Sequence, residues 1–159
     1  PNSGDQHWHI NDITTESDTT LTSPLITLPD ASERPIFLQY DNYQDIEFES
    51  ANSCWDGGVI EISTDNGQSF TQIQNADLLT DPYTGPFQSN SLLFGENGWC
   101  RTPVSYLQSI VNLNDYAGQT VQLRFRLVTD GAAGAPGWDI EDISVRSCAN
   151  DIIFANGFE

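Results

Sequence analysis

Lysine and methionine are both absent from this 159-residue chain, and only five arginines (Arg34, Arg101, Arg124, Arg126, Arg146) offset 23 acids, for a net charge of −18. That balance excludes a polyanion-binding role, because nucleic acids and anionic membranes are held by clustered cations that displace counterions. No apolar run is long enough to span a bilayer, so no membrane insertion is expected. Because the chain starts at Pro1 and has no methionine, it reads as a processed piece of a longer chain, with any upstream signal already removed.

Catalytic motifs are missing as well. There is no HExxH, no GxSxG elbow and no CxxC pair. Carboxylate pairs are abundant among 23 acids, yet no motif isolates one. The chain therefore reads as non-catalytic. Helical periodicity is weak throughout. What recurs is short alternation broken by Gly, Pro, Asn and Asp, the habit of a β-sandwich. Strands are expected near His7–Asn11, Thr20–Leu28, Pro35–Tyr43, Gly58–Thr64, Thr71–Ile73, Gln108–Leu113, Thr120–Thr129 and Trp138–Arg146. The strictest alternation is VQLRFRLVT, with Val121, Leu123, Phe125 and Leu127 on one face and Gln122, Arg124 and Arg126 on the other. GVIEISTDNGQSFTQI reads as a tight hairpin around Asn66-Gly67, residues that tolerate positive φ.

Three cysteines remain. Cys54 and Cys100 each lie in a turn-rich loop, NSCWDGG and ENGWCRT, and are expected to pair, leaving Cys148 over. Chain entropy alone gives such a bond about 4 kcal/mol. A disulfide fits an oxidising, extracellular compartment. The segment Asn75–Pro103 is long, polar and aromatic-bearing, with Tyr83, Phe87, Phe94 and Trp99, which either pin the loop down or contact a ligand.

Five acids at strand ends or adjoining loops, Asp41, Glu47, Asp56, Asp139 and Asp142, are the candidate ligands of a structural calcium, which takes six to eight oxygens. A glycan site would need an aromatic platform and polar donors. Tyr43 and Trp99 are candidates for the first and Arg124 and Arg126 for the second, with Trp55 and Tyr83 as further aromatics. His7-Trp8-His9 places two imidazoles on one side of a strand, and with Asp5 or Asp12 such a pair suits zinc or copper.

Four blocks carry a family resemblance: LTSPLITLP with FLQYDNYQDIE, CWDGGVIEISTDNGQSFTQI, VNLNDYAGQTVQLRFRLVTDG, and GAPGWDIEDISV. In this order they resemble the MAM-like jelly-roll domain of secreted bacterial metalloproteases of the immune inhibitor A and fungalysin types, and the cleaved-adhesin domains of gingipains. The resemblance implies an all-β, two-sheet antiparallel jelly-roll sandwich over residues 1–149. It also implies a structural calcium, with Glu47 matching the acid before the DGG turn, Asp56 the acid of that turn, and Glu141 and Asp142 the paired acids of the closing strand. The implied role is an accessory or binding domain of a secreted protease, aiding folding, secretion or substrate engagement. Its partner would be the catalytic domain of the same precursor, an extracellular protein or a polysaccharide. A carbohydrate-binding or adhesin-like lectin domain is the alternative. Two departures stand out. Ala132 and Ala133 occupy a loop where related sequences carry a cysteine, and Asn42-Tyr43 replaces an aromatic–histidine pair. The tail, residues 150–159, resembles an FxxGFE ending of secreted multidomain proteins from Gram-negative bacteria.

Overall fold

The computed structural model describes residues 7–50, 53–101, 103, 105–148, 152–155 and 157–158. In chain order the strands are β1 (His7–Ile10), β2 (Ser17–Thr22), β3 (Ile26–Thr27), β4 (Ile36–Asp45), β5 (Phe48–Ser50), β6 (Ser53–Cys54), β7 (Gly57–Ser63), β8 (Thr71–Gln72), β9 (Gly85–Pro86), β10 (Asn97–Gly98), β11 (Leu107–Asn112), β12 (Thr120–Thr129), β13 (Gly137–Ser147) and β14 (Phe154–Ala155). One sheet runs β1-β13-β4-β11, with β14 also on β13; the other runs β2-β12-β7-β8, with β3 also on β12. The ladders between them are antiparallel throughout. No helix among the described residues is long and apolar enough to cross a membrane.

The expected alternation produces this arrangement directly. Along β4, Ile36, Leu38, Tyr40, Asn42 and Gln44 point inward, while Phe37, Gln39, Asp41, Tyr43 and Asp45 face out. Along β12, Val121, Leu123, Phe125 and Leu127 are buried. The two sheets meet where Phe125 touches Tyr40, with ring centroids 4.9 Å apart, and Trp138 at 5.6 Å. This is a two-sheet antiparallel β-sandwich with its core between the sheets.

Three expectations are refined. The run Thr20–Leu28 is two strands, because Pro24 cannot donate to a ladder. Ser23 bridges the gap: its N–H donates to the Leu123 carbonyl and its hydroxyl accepts the Leu123 N–H at 2.9 Å. The β7–β8 hairpin forms, but its ladder ends at Ile62–Thr71, so the connection exceeds a two-residue turn. Asn66 (φ 60°) and Gly67 (φ 81°) do take positive φ there, and the Asp65 carboxylate accepts from the Ser69 amide at 2.9 Å. Finally, the long segment from residue 75 to 101, which carries β9 and β10, lies against the sandwich. Its Asp81 carboxylate accepts from Asn42 at 2.7 Å and Ser109 at 2.9 Å, while Asn42 accepts from the Trp138 indole. Asn42 is thus the hub of a buried polar network.

The tail also contributes to the core. β14 pairs with β13, and Phe158 is buried 5.4 Å from the Phe125 ring and 6.4 Å from Trp8.

Candidate metal centre

Four acids from distant points in the sequence meet at one end of the sandwich. Asp12 follows β1, Glu47 lies between β4 and β5, Asp56 sits in the turn between β6 and β7, and Asp130 directly follows β12. Carboxylate oxygens of Glu47, Asp56 and Asp130 lie within 4.8 Å of one another. Asp12 joins them: one of its oxygens accepts the Glu47 N–H at 2.8 Å, and its carboxyl faces that of Asp56 closely enough to share a proton. Asp56 is wholly buried and Asp12 is 4% exposed.

Local structure explains the convergence. The disulfide Cys54–Cys100 closes a span of 46 residues and fixes the strand that delivers Asp56 two positions later. Asp56 in turn accepts the Asp130 N–H at 2.6 Å, which ties the end of β12 to the DGG turn. The loop after Asp130 must lie flat on the segment after β1. A Cβ at Gly134 would stand 2.7 Å from the Asp12 carbonyl, and one at Gly131 (φ 87°) 2.7 Å from the Glu16 nitrogen. Glycine at both places therefore lets the loop close over the acids.

The electrostatics are unbalanced. Burial, then the facing Asp12 carboxyl, then the charges of Asp12 and Asp130 push Asp56 up to about 8. Burial, followed by the charges of Asp130 and Asp12, also raises Glu47, while the Ala133 amide partly offsets that rise. Asp12 Oδ1, Glu47 Oε2 and Asp56 Oδ2 are buried and reached by no donor among the described residues. Buried carboxylates left without donors or cations are costly, so the cluster needs a proton or a positive ion. All the donors are oxygens, some of them charged, which is the ligand chemistry of a hard cation such as calcium.

Two of the five expected ligands, Glu47 and Asp56, are in this cluster. Asp41, Asp139 and Asp142 are not. Asp41 alternates with buried Tyr40 and Asn42 and so faces outward from β4. Asp139 is on the same outer face, bonded to His9. Asp142 sits at φ 53° on a bulge of β13, between Glu141 and Ser144, which turns it to solvent. Sequence reasoning missed Asp130 and offered Asp12 only as a partner of the His7–His9 pair, not for this cluster. Asp130 carried a signal, since it stands where the alternation of β12 stops before a glycine loop. Asp12 carried none beyond following a short strand.

The expected ligand-binding residues also resolve. Trp99 is fully buried, with its indole N–H on the Asp81 carbonyl at 3.1 Å, so it presents no face to a ligand. Arg124 bonds Glu61 at 2.6 Å and covers the Phe70 ring at 3.9 Å. Arg126 makes two 2.8 Å bonds to Asp18, holding that carboxyl below its usual range, and also reaches Glu61. Both guanidinium groups are thus spent within the chain. Tyr43 alone of the four stays on an accessible face, its ring 5.3 Å from Tyr106. Cys148 is a free, exposed thiol.

No protein-family model matches the chain, and no curated protein matches it.

Proposed function

We propose that this protein is a non-catalytic, calcium-stabilised accessory domain of a secreted bacterial protease, built as a MAM-like jelly roll, that aids folding, secretion or substrate engagement. The observation that carries the calcium part is the largely buried cluster of Asp12, Glu47, Asp56 and Asp130, with three oxygens that no donor among the described residues reaches. The four sequence blocks and the disulfide support the secreted, protease-associated part. In this role the ion locks four segments together: the stretch after β1, the end of β4, the DGG turn and the loop after β12. Such a domain would work beside a catalytic domain of the same precursor, and a peptidase domain encoded in the same reading frame is the expected context.

Calcium titration by calorimetry tests the site. One ion per chain is expected. Asp130→Asn should weaken binding at least about tenfold, while Asp142→Asn should leave the isotherm unchanged. The reading fails if the native chain takes up no calcium, or if Asp142→Asn rather than Asp130→Asn removes it.

A second reading, a carbohydrate-binding module, is favoured by one observation. The outer face of the β4 sheet holds a groove of about 310 Å³ lined by Gln39, Asp41, Gln108, Asp142, Ser144 and Arg146. Tyr43 and Tyr106 stand on that face as a paired aromatic surface. Retention of the domain in a gel containing a neutral polysaccharide, lost in Tyr43→Ala with its melting curve unchanged, is the expected result under this reading. Equal migration of both proteins with and without polysaccharide would remove it.

A further inference from the structure

We propose that His7, His9 and Asp139 form a second, surface site for a divalent transition-metal ion of the copper–zinc class. It does not rest on the calcium reading, since its residues, location and donor chemistry are all different.

β1 is extended, so residues two apart share a side. His7 and His9 face outward, while Trp8 packs toward Phe158. The ladder then sets His9 opposite Asp139 and His7 opposite Glu141 on β13. His9 Nδ1 lies 2.6 Å from Asp139 Oδ1, and His7 Nε2 lies 3.6 Å from the same oxygen. One carboxylate oxygen therefore has an imidazole nitrogen on either side. In this arrangement Asp139 bridges the two rings by itself. An ion is held by all three groups once the rings turn toward a shared point beside that oxygen. The side chains are 33%, 36% and 23% exposed, so there is room for that rotation and for the ion to enter.

The surroundings favour a cation. Glu141 and Asp41 are paired across β13 and β4 beside Asp139. The Tyr106 hydroxyl lies beside the Asp139 and Glu141 carboxylates, whose charges help hold its proton on. The donor set decides the class of ion. Two imidazoles and one carboxylate suit copper, zinc or nickel, whereas calcium prefers oxygen alone. Three protein ligands also leave a coordination position open to water or to a further ligand. The carboxylate that completes the HWH pair is thus Asp139, from a strand more than a hundred residues away. Asp12, one of the two acids the sequence offered, is committed to the buried cluster, and Asp5 lies outside the described residues.

The test uses tag-free protein carrying Cys148→Ser, so that the exposed thiol does not compete, with calcium saturating. Cu²⁺ is titrated by calorimetry and located by paramagnetic broadening of backbone amide signals. One equivalent should bind, with broadening centred on β1 and the first half of β13. His9→Gln and Asp139→Asn should each weaken binding at least about tenfold, with unchanged metal-free melting curves. Zn²⁺ should compete for the same site. The proposal is overturned if His7→Gln/His9→Gln binds Cu²⁺ like the parent, or if broadening centres elsewhere. Should Asp139→Asn melt early, the exposed single variants His7→Gln and His9→Gln decide the matter alone.

Discussion

At pH 8, saturating calcium should raise the melting temperature by about 5–10 °C over the chelated protein, and at pH 5 by much less. The size follows from mass action. A ligand at a hundred times its dissociation constant stabilises the folded state by about 2.7 kcal/mol, and a domain of this length shifts by about 2–4 °C per kcal/mol. The pH dependence follows from Asp56. Its carboxyl is raised from the ordinary 3.8 to about 8 in the folded protein, chiefly by burial. A raised group binds its proton more tightly folded than unfolded. Its stabilising effect is therefore present in full below about pH 4 and is lost as pH rises through about 8. Glu47 is raised for the same reason and acts in the same direction. The metal-free protein should thus weaken steadily across that window. Calcium substitutes for the proton, so the loaded protein should show a nearly flat profile there, and binding should release a proton. Asp56→Asn should give a metal-free protein whose stability falls much less over this range, with Glu47 alone still acting, and which gains little from calcium. Melting curves at pH 5, 6.5 and 8, with calcium and with excess chelator, measure all of this. An equal calcium shift at every pH would show that Asp56 is not the titrating ligand.

The sandwich was legible because its strands alternate so strictly. β4 and β12 each carry five or more positions of clean in–out periodicity, and these two strands lie at the centre of their sheets. The Cys54–Cys100 pairing was legible from its two turn-rich loops. The acidic cluster was only half legible, for a geometric reason. Its acids sit at positions 12, 47, 56 and 130, and tertiary contacts such as the packing of the Gly131–Gly137 loop on the segment after β1 gather them. Nothing local to Asp12 reports that contact. Asp41 is a different case, because the same alternation that places Leu38 and Tyr40 inside also places Asp41 outside. Asp142, expected at a strand end, lies inside β13 on a β-bulge, where one extra residue turns it to solvent. The partners of Arg124 and Arg126 were hidden for want of register. Glu61 and Asp18 come beside them only once β7 and β2 flank β12.

Trp99→Ala should cost about 3–5 kcal/mol of stability, the usual range for deleting a large buried aromatic. The loop that carries Trp99, rich in Asn, Ser and Gly between scattered aromatics, reads in sequence as either pinned to the sandwich or facing a ligand. In the structure its side chain is completely buried. Its ring lies 4.6 Å from Tyr83 and 5.7 Å from Trp138, joining the loop to the inner face of β13. Its backbone exchanges both hydrogen bonds with Gly58, at 2.8 and 2.9 Å, as an extra rung on the edge of β7. A Cβ at Gly58 would collide with Trp138 at 2.5 Å, so the rung depends on a glycine there and leaves no slack for the loop to settle differently. Removing the indole would open a cavity between two sheets and strip the Asp81 carbonyl of its donor. The consequence reaches the acidic cluster, because Cys100 follows Trp99 directly and its disulfide holds the strand leading to Asp56. Trp99→Ala should therefore lower both the melting temperature and calcium affinity. Trp99→Phe should retain most of the packing and lose only about 1–3 kcal/mol, largely through the unsatisfied carbonyl. Urea denaturation of the three proteins, with calcium titrations alongside, separates packing from ligand contact. A Trp99→Ala variant that unfolds like the parent would show that the indole is not a core residue.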